Sequence, residues 1–230
     1  MEKKNLVLLH GALGSRQQFG NLQDKLSPWF RTCVFDFSGH GGLPLPEAFS
    51  IPNFVENTLD VIRREGLEKP FVFGYSMGGY VALQAARDFP DAVGKVMTLG
   101  TKFQWNPESA AKEVRMMDPD IIEQKLPAFA DVLRNRHAPQ DWKIIMRLTG
   151  EMMTGLGNGM AMKEKDYLQI QLPVLVSIGA SDHMVTLAES ETVANLLPAG
   201  RLRVIDGFKH PMESIDVDVL SEIIRNFFLG

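Results

Sequence analysis

The stretch "FGYSMGG", residues 73–79, places one serine, Ser76, between Gly74 and Gly78 at the end of an apolar run. The helix-like segment "YVALQAARDF" follows directly, so the sequence predicts a strand, a sharp turn and a helix. Such a turn forces its central residue into an unfavourable backbone conformation, and a flanking glycine on either side relieves the crowding. The serine is therefore either part of an ordinary tight turn or a nucleophile held on a strained one, and the rest of the sequence has to decide.

The remainder of the chain alternates short apolar runs with longer amphipathic stretches. The six strand candidates are residues 5–10, 31–37, 70–75, 95–100, 173–179 and 201–206, and the helix candidates are 15–27, 52–65, 77–88, 186–197 and 213–228. The strand candidates are apolar on both faces, which is typical of a parallel sheet covered by helices on both sides. The pattern predicts an α/β fold with a mostly parallel six-stranded sheet.

The alternation is interrupted between residues 101 and 165, where no strand candidate occurs. Asn106-Pro107 and Asp118-Pro119 each place an N-cap residue type before a proline at the first helical position. Further helical patterns follow, and "GLGNG" ends the series. We expect a helical lid over residues 101–165, inserted into a core domain formed by residues 1–100 and 166–230.

A serine hydroxyl is a poor nucleophile unless a base takes its proton and an acid orients that base. Among the five histidines, His210 lies in the loop between the last strand and the last helix. Asp182, just past the strand candidate 173–179, is the candidate acid, although a carboxylate there could equally cap the next helix. The order Ser76, Asp182, His210 agrees with the order expected for this strand–turn–helix architecture.

Acyl transfer also needs donors for the negative charge that develops on the tetrahedral oxygen. One candidate is the backbone N–H of Met77, the residue after the serine. The second is the N–H of Ala12 in "HGALGS", the loop after the first strand, with Leu13 as the alternative.

With these motifs together, the chain resembles the α/β-hydrolase superfamily. The residues that carry the resemblance are "HGALGS" (10–15), "DFSGHG" (36–41), "GYSMGG" (74–79), "GASDHMV" (179–185) and the histidine of "FKHPME" (208–213). The resemblance implies a Ser76–His210–Asp182 triad and an oxyanion hole formed by the N–H groups of Ala12 and Met77. The family's usual N-terminal hairpin has no counterpart, so we expect a compact, all-parallel version of the sheet.

The chemistry that these residues predict is two-step acyl transfer on a carboxylic ester, with no cofactor and no metal. We expect a small-molecule substrate, a moderately apolar ester, because methionine-rich linings suit varied apolar acyl groups. The candidate pocket residues are Leu13, Met184, Met212, Trp105, Trp142 and Met146. For most of the methionines in residues 101–165, packing between helices is the simpler explanation.

Two alternatives stay open. The same triad serves lyase chemistry in this superfamily, as in the menaquinone-pathway lyase (SHCHC synthase) and hydroxynitrile lyases. An anionic substrate for such an enzyme would need basic residues at the pocket, and the candidates are Arg16, Lys102, Lys209, Arg115, Arg134 and Arg147. Other superfamily members are ligand receptors with vestigial hydrolysis, and these would release one equivalent of product and then stall.

Composition limits the classes of partner. The chain of 230 residues carries a formal net charge of −4 and no sustained run of Lys or Arg, which argues against nucleic acid. No run approaches the roughly 18 apolar residues of a membrane span, so no membrane partner is expected. We expect a cytoplasmic protein that is a monomer or a weak homodimer.

Overall fold

The computed structural model describes residues 3–230 and contains one six-stranded sheet in the order β2-β1-β3-β4-β5-β6. All five strand pairings are parallel. The strands are β1 Lys4–Leu9, β2 Phe30–Val34, β3 Phe71–Tyr75, β4 Val96–Leu99, β5 Val174–Gly179 and β6 Gly200–Ile205. The predicted six-stranded parallel sheet is thus confirmed.

Strand β2 is shorter than the sequence predicts. Residues 31–37 form one apolar run, but β2 ends at Val34, which pairs with Leu8 of β1. Because β2 is an edge strand, β1 is its sole neighbour, and the strand ends where that pairing ends. Phe37 then turns into the core instead of continuing the ladder.

Helices cover both faces of the sheet because side chains of a strand alternate between its two faces. The helices of the α/β core are α1 Gly20–Leu26, α2 Ile51–Arg64, α3 Met77–Asp88, α9 Leu187–Leu196 and α10 Val217–Leu229. On one face, Val7 and Val72 pack with residues of α2, α3 and α9. On the other face, Leu8 and Phe73 pack with residues of α1 and α10.

Five α-helices lie between β4 and β5: α4 Pro107–Arg115, α5 Pro119–Lys125, α6 Pro127–His137, α7 Trp142–Gly155 and α8 Glu164–Tyr167. A short π-helical segment, Leu156–Met160, follows α7 directly. The Asn106 side chain accepts a hydrogen bond from the Ser109 N–H and caps α4. The Asp118 side chain caps α5 in the same way. We refer to residues 101–165 as the insertion.

The insertion rests on the loop that follows β1. Leu13 of that loop forms a buried apolar cluster with Leu133 of α6 and with Trp142 and Met146 of α7. This cluster is separate from the two layers that cover the sheet. The contact places the insertion above the carboxyl ends of the strands, where the loops of a parallel α/β sheet form binding sites. None of the helices within residues 3–230 has both the length and the apolar character needed to cross a bilayer.

Candidate active site

Ser76 occupies a strained turn between β3 and α3. Its backbone angles are φ 51° and ψ −118°, in a region that residues with a Cβ rarely adopt. The two flanking glycines are required by close backbone approach: a Cβ at Gly74 would overlap the Gly78 carbonyl, and a Cβ at Gly78 would overlap the Leu9 carbonyl. The spacing Gly-x-Ser-x-Gly therefore follows from steric constraints at this turn.

Hydrogen bonds with β4, with Thr101 and with the first turn of α3 hold the Ser76 turn in place. The backbone N–H of Ser76 donates to the Leu99 carbonyl at the end of β4 over 2.8 Å. The Ser76 carbonyl accepts from the Thr101 hydroxyl at 2.9 Å and from the Gly79 N–H at 3.0 Å. The strain at Ser76 is sustained because neighbouring strands and the first turn of α3 together determine its backbone position.

Asp182 and His210 meet in a direct hydrogen bond, with 2.8 Å between Oδ2 of Asp182 and Nδ1 of His210. The other carboxylate oxygen, Oδ1, accepts from the N–H groups of Met184 at 2.8 Å and Val185 at 3.0 Å. Burial alone would raise the pKa of Asp182, but these hydrogen bonds and the neighbouring imidazole outweigh it, and the pKa lies below its ordinary value. The carboxylate stays ionised and can orient the imidazole.

The backbone of His210 is fixed from below by Tyr75, whose hydroxyl donates to the His210 carbonyl over 2.8 Å. Gly100, with φ 60°, lies behind the pair, and a Cβ there would come within 3.2 Å of the Asp182 carboxylate and 3.3 Å of the imidazole. The end of β4 thus leaves room for the acid–base pair.

Ser76 and His210 line the same cavity. Within residues 3–230, the Ser76 hydroxyl does not meet hydrogen-bond geometry with His210 or with any other protein group. Catalytic hydrogen bonds are often long without substrate and shorten in the Michaelis complex. The structure therefore brings Ser76 and His210 to one cavity, with Asp182 already hydrogen-bonded to Nδ1 of His210.

The two predicted oxyanion donors also lie at this cavity. Across the described part of the chain, no protein group accepts a hydrogen bond from the backbone N–H of Ala12 or Met77. Met77 is the first residue of α3, whose positive end favours negative charge at this position. Leu13, the alternative, has a positive φ of 55° and points its side chain away into the insertion.

The insertion holds the loop that carries Ala12. Arg136 of α6 donates to the Leu13 carbonyl over 2.9 Å, and His137 Nε2 donates to the same oxygen over 3.1 Å. The other guanidinium nitrogen of Arg136 donates to Glu213 over 3.1 Å, three residues after His210. A single arginine therefore links the insertion to both loops that flank the serine.

Three buried histidines, His10, His40 and His137, pack against one another beneath this loop. His10 Nδ1 donates to the Gly11 carbonyl while its Nε2 accepts from the Phe37 N–H. Burial lowers the pKa of His10 to about 3 and that of His137 to about 4, and it lowers the pKa of His40 well below its ordinary value. All three are neutral at pH 7 and act as structural hydrogen-bonding groups.

The cavity is narrow and mostly apolar. The space open to the centre of a water molecule is about 60 Å³, which corresponds to about four to six waters. From the α/β core its walls include Ala12, Ile51, Ser76, Met77, Tyr80 and His210, and from the insertion Trp105, Met152, Met153 and Leu156.

Two of the six predicted pocket residues, Trp105 and Met184, line this cavity. The structure places the other four elsewhere. Leu13, Trp142 and Met146 form the contact between the insertion and the β1 loop, and Met212 is buried with the layer beneath the sheet. Apolar side chains of α6 and α7 pack on Leu13 and are therefore not available to the cavity. Met152 and Met153, on another side of α7, line the cavity that contains Ser76.

Sequence reasoning did not assign several lining residues, which are Ile51, Tyr80, Glu113, Leu156 and Val185. Tyr80 had a usable signal: it lies four residues after Ser76, on the same face of α3 one turn along. Glu113 had none, because a glutamate in a helix is ordinarily solvent-exposed.

Of the six basic residues considered for an anionic substrate, Lys102 lines the cavity. Its Nζ lies 3.3 Å from Oε1 of Glu113, so its charge is paired. Arg16 pairs with Asp36, and Arg134 pairs with Asp131 and Glu123. The remaining three, Arg115, Arg147 and Lys209, are exposed to solvent.

Comparison with known proteins gives the broader context. A family model described as the alpha/beta hydrolase fold matches residues 4–140 of the chain. A pimeloyl-[acyl-carrier protein] methyl ester esterase of Aromatoleum aromaticum is 28% identical, with 91% of this chain and 92% of that protein covered.

A Bacillus subtilis protein assigned the name 2-succinyl-6-hydroxy-2,4-cyclohexadiene-1-carboxylate synthase is 24% identical over 96% of this chain and 89% of its own. Among solved structures, the enol-lactonase from Burkholderia xenovorans superposes with a TM-score of 0.78 at 18% identity, covering 100% of this chain and 93% of the other. The structural likeness concerns the fold, and the names of the relatives include both an esterase and a synthase.

Proposed function

This chain belongs to the α/β-hydrolase fold family, and from that premise we propose that it is a serine esterase acting on small carboxylic esters. The observation that supports this most directly is the 2.8 Å Asp182–His210 hydrogen bond at a cavity that also contains Ser76 on its strained turn. Ser76 is the nucleophile, His210 the general base and acid, and Asp182 the orienting carboxylate.

In the first step, the Ser76 Oγ forms a bond to the ester carbonyl carbon while its proton passes to Nε2 of His210. The electron pair of the carbonyl moves onto oxygen, and the N–H groups of Ala12 and Met77 stabilise that charge. Collapse of the tetrahedral species breaks the carbon–oxygen bond to the leaving alcohol, and the alcohol oxygen receives the proton that His210 took from Ser76. The products are a Ser76 acyl ester and a free alcohol.

In the second step, water attacks the acyl ester and gives its proton to His210. The tetrahedral species again uses the same two N–H donors, and the proton returns to the Ser76 oxygen as it leaves. The carboxylic acid is released and the enzyme is regenerated. The neighbouring carboxylate of Asp182 stabilises the imidazolium that forms in each step.

A triad-based lyase is the second candidate, because one relative bears the name of such an enzyme. A multiply anionic substrate would need unpaired positive charge at the cavity. Lys102 is the basic residue at the wall and is paired with Glu113, which favours an uncharged ester over a dianion.

The proposal is tested with p-nitrophenyl acetate, butyrate, hexanoate and octanoate, together with a fluorophosphonate label. We expect repeated turnover of the shorter esters and labelling of wild-type protein, and neither with Ser76→Ala. His210→Gln should lose at least a thousandfold in kcat, whereas His183→Gln, a change at an exposed histidine beside the site, should not.

Equal rates from wild-type and Ser76→Ala protein would refute the esterase. One equivalent of p-nitrophenol followed by a stall would instead support the ligand-receptor alternative.

A further inference from the structure

A charged pair lies on the wall of the otherwise apolar cavity. Glu113 of α4 has a side chain only 6% exposed, and Lys102, in the loop between β4 and α4, is 19% exposed. Both residues line the cavity that contains Ser76 and His210. Removing two charges from water costs several kcal/mol per ion, and their mutual attraction offsets this only when the geometry is good.

The geometry of the pair leaves hydrogen-bonding capacity unused. Nζ of Lys102 and Oε1 of Glu113 are 3.3 Å apart, longer than the roughly 2.7–2.9 Å of a charge-assisted hydrogen bond. Among residues 3–230, no other protein group forms a hydrogen bond or ion pair with either charged head group. An ammonium has three donors and a carboxylate has about four acceptor sites, so most of this capacity is free to face the cavity.

The position of Lys102 is nevertheless fixed. Its carbonyl accepts a hydrogen bond from Nε1 of Trp105 over 3.2 Å, and its ammonium lies 5.8 Å from the centroid of that indole ring. The preceding residue, Thr101, is bonded to the Ser76 carbonyl. The backbone of Lys102 is therefore tied through Thr101 to the turn that carries the nucleophile, and Glu113 pairs with the Lys102 ammonium.

We propose that Lys102 and Glu113 form a polar subsite that selects esters whose acyl chain carries a neutral donor–acceptor group, a primary carboxamide or a hydroxyl. The carbonyl or hydroxyl oxygen accepts from Lys102, and the N–H or O–H donates to Glu113. This inference rests on the proposed esterase function and specifies its substrate class.

The charge balance of the subsite selects a neutral group. A carboxylate would bring a second negative charge beside Glu113, and an ammonium would bring a second positive charge beside Lys102. In a cavity with apolar walls either excess is costly, because little water screens it. A neutral amide or hydroxyl satisfies both partners and leaves the net charge unchanged.

Four methyl esters of nearly equal shape separate these possibilities. They are methyl 5-amino-5-oxopentanoate (carboxamide), methyl 5-oxohexanoate (acceptor only), methyl 5-methylhexanoate (apolar) and monomethyl glutarate (carboxylate). Their kcat/KM values are measured by acid release at constant pH. Since a hydrogen bond to a charged group contributes about tenfold or more, we expect the carboxamide to exceed the apolar ester by at least tenfold, with the ketone between them and the carboxylate below the carboxamide.

Two variants test the assignment through ratios of rates. Lys102→Met should abolish the advantage of the ketone over the apolar ester, because the ketone accepts from Lys102 and has no donor for Glu113, and it should lower the carboxamide-to-apolar ratio. Glu113→Gln should leave Lys102 unpaired and raise the carboxylate-to-apolar ratio about tenfold. Lys112→Met, a change at an exposed lysine beside Glu113 on α4, is the control and should preserve the wild-type ratios.

A pair that merely fastens α4 to the β4 loop would give a different result, since the variants would then lower all four rates by the same factor. That outcome, or wild-type ratios within threefold of one, would overturn the subsite.

Titration of Ser76→Ala protein with the same four esters separates this inference from the esterase proposal. We expect the carboxamide to bind at least tenfold tighter than the apolar ester. Tight carboxamide binding without any Ser76-dependent hydrolysis would refute the esterase and support the subsite. Ser76-dependent hydrolysis of p-nitrophenyl esters without a carboxamide preference would support the esterase and refute the subsite.

Discussion

The hydroxyl of Tyr75 donates a hydrogen bond to the carbonyl oxygen of His210 over 2.8 Å, although the two residues are 135 positions apart in the chain. Tyr75 is the last residue of β3 and directly precedes Ser76. The strand that carries the nucleophile therefore also holds the backbone of the base. The two aromatic rings lie 5.6 Å apart, so packing supports the same arrangement.

We expect Tyr75→Phe to lower kcat on p-nitrophenyl butyrate about five- to tenfold with little change in KM. The His210 carbonyl would lose its donor and the loop would sample positions in which the imidazole is misaligned with Ser76. The same change should lower the free energy of unfolding by about 1 kcal/mol. Steady-state kinetics and urea unfolding measure the two effects, and an unchanged kcat with lowered stability would contradict the positioning role of Tyr75.

The steric account of the turn is tested at Gly78. A Cβ there would overlap the Leu9 carbonyl, which belongs to the backbone of a central strand and cannot move away. We expect Gly78→Ala to cost about 3 kcal/mol of unfolding free energy or to prevent folding.

Gly20→Ala is the matched control, because nothing lies within 4 Å of a Cβ at Gly20 and its backbone is helical. This change should be neutral or stabilise by about 0.5–1 kcal/mol. Similar losses in the two variants would show that the turn has no special requirement for glycine.

The link from the insertion to the site is tested at Arg136. Replacing it by glutamine removes the donors to the Leu13 carbonyl and to Glu213. We expect Arg136→Gln to reduce kcat about tenfold, because hydrogen bonds from a charged group are worth about 1.5–3 kcal/mol and the Leu13 carbonyl then keeps the neutral donor of His137 but not the charged one.

Arg134→Gln provides the comparison, since Arg134 lies on the same helix and, within residues 3–230, its side chain pairs only with the exposed carboxylates of Asp131 and Glu123. It should leave kcat within twofold of wild type. Equal effects of the two changes on kcat would argue that Arg136 contributes only to the stability of α6.

The buried histidines should make stability depend on pH. The pKa values of His10 and His137 are lowered by burial to about 3 and about 4, whereas their ordinary value is 6.5. Below pH 6.5 the unfolded chain therefore binds protons that the folded chain does not. The stabilisation is fully present above pH 6.5 and is lost as the pH falls toward the folded values, by about 1.4 kcal/mol per pH unit for each histidine.

Urea unfolding between pH 8 and pH 5 measures this dependence. The free energy of unfolding should be level above about pH 7 and decline below it. His10→Gln should reduce the slope of the free energy of unfolding against pH by the contribution of one histidine. Asp182, whose pKa is lowered, contributes only in the more acid range and does not obscure the test. A level free energy down to pH 5 would show that the histidines are not buried as neutral groups.

The alternation of apolar runs was enough to predict the sheet, because a strand buried on both faces needs apolar residues at every position. Parallel neighbours need crossover connections, and because these are almost always right-handed, few topologies remain once the strands are known. The Gly-x-Ser-x-Gly spacing was equally readable, although its two glycines have different causes: Gly74 is constrained within the turn by the Gly78 carbonyl, and Gly78 is constrained by the Leu9 carbonyl of the neighbouring strand β1. Both patterns are visible in short stretches of the sequence.

The composition of the cavity depended on how the insertion packs, and local sequence does not specify that. Met146 and Met152 lie on different faces of α7, about 120° apart around its axis; Met146 packs on Leu13, and Met152 lines the cavity that contains Ser76. Helical periodicity assigns a residue to a face of its own helix but not to the neighbour that the face meets.

Local sequence does not predict the longer-range contacts either, because it does not specify how distant segments pack. Lys102 with Glu113, Arg136 with Leu13, and Tyr75 with His210 join segments whose approach is decided by the sum of many packing contacts. The sequence by itself therefore determined the α/β sheet and its serine-bearing turn. The tertiary structure alone decided which side chains surround the serine, because burial of apolar surface is non-directional and many helix arrangements satisfy one pattern.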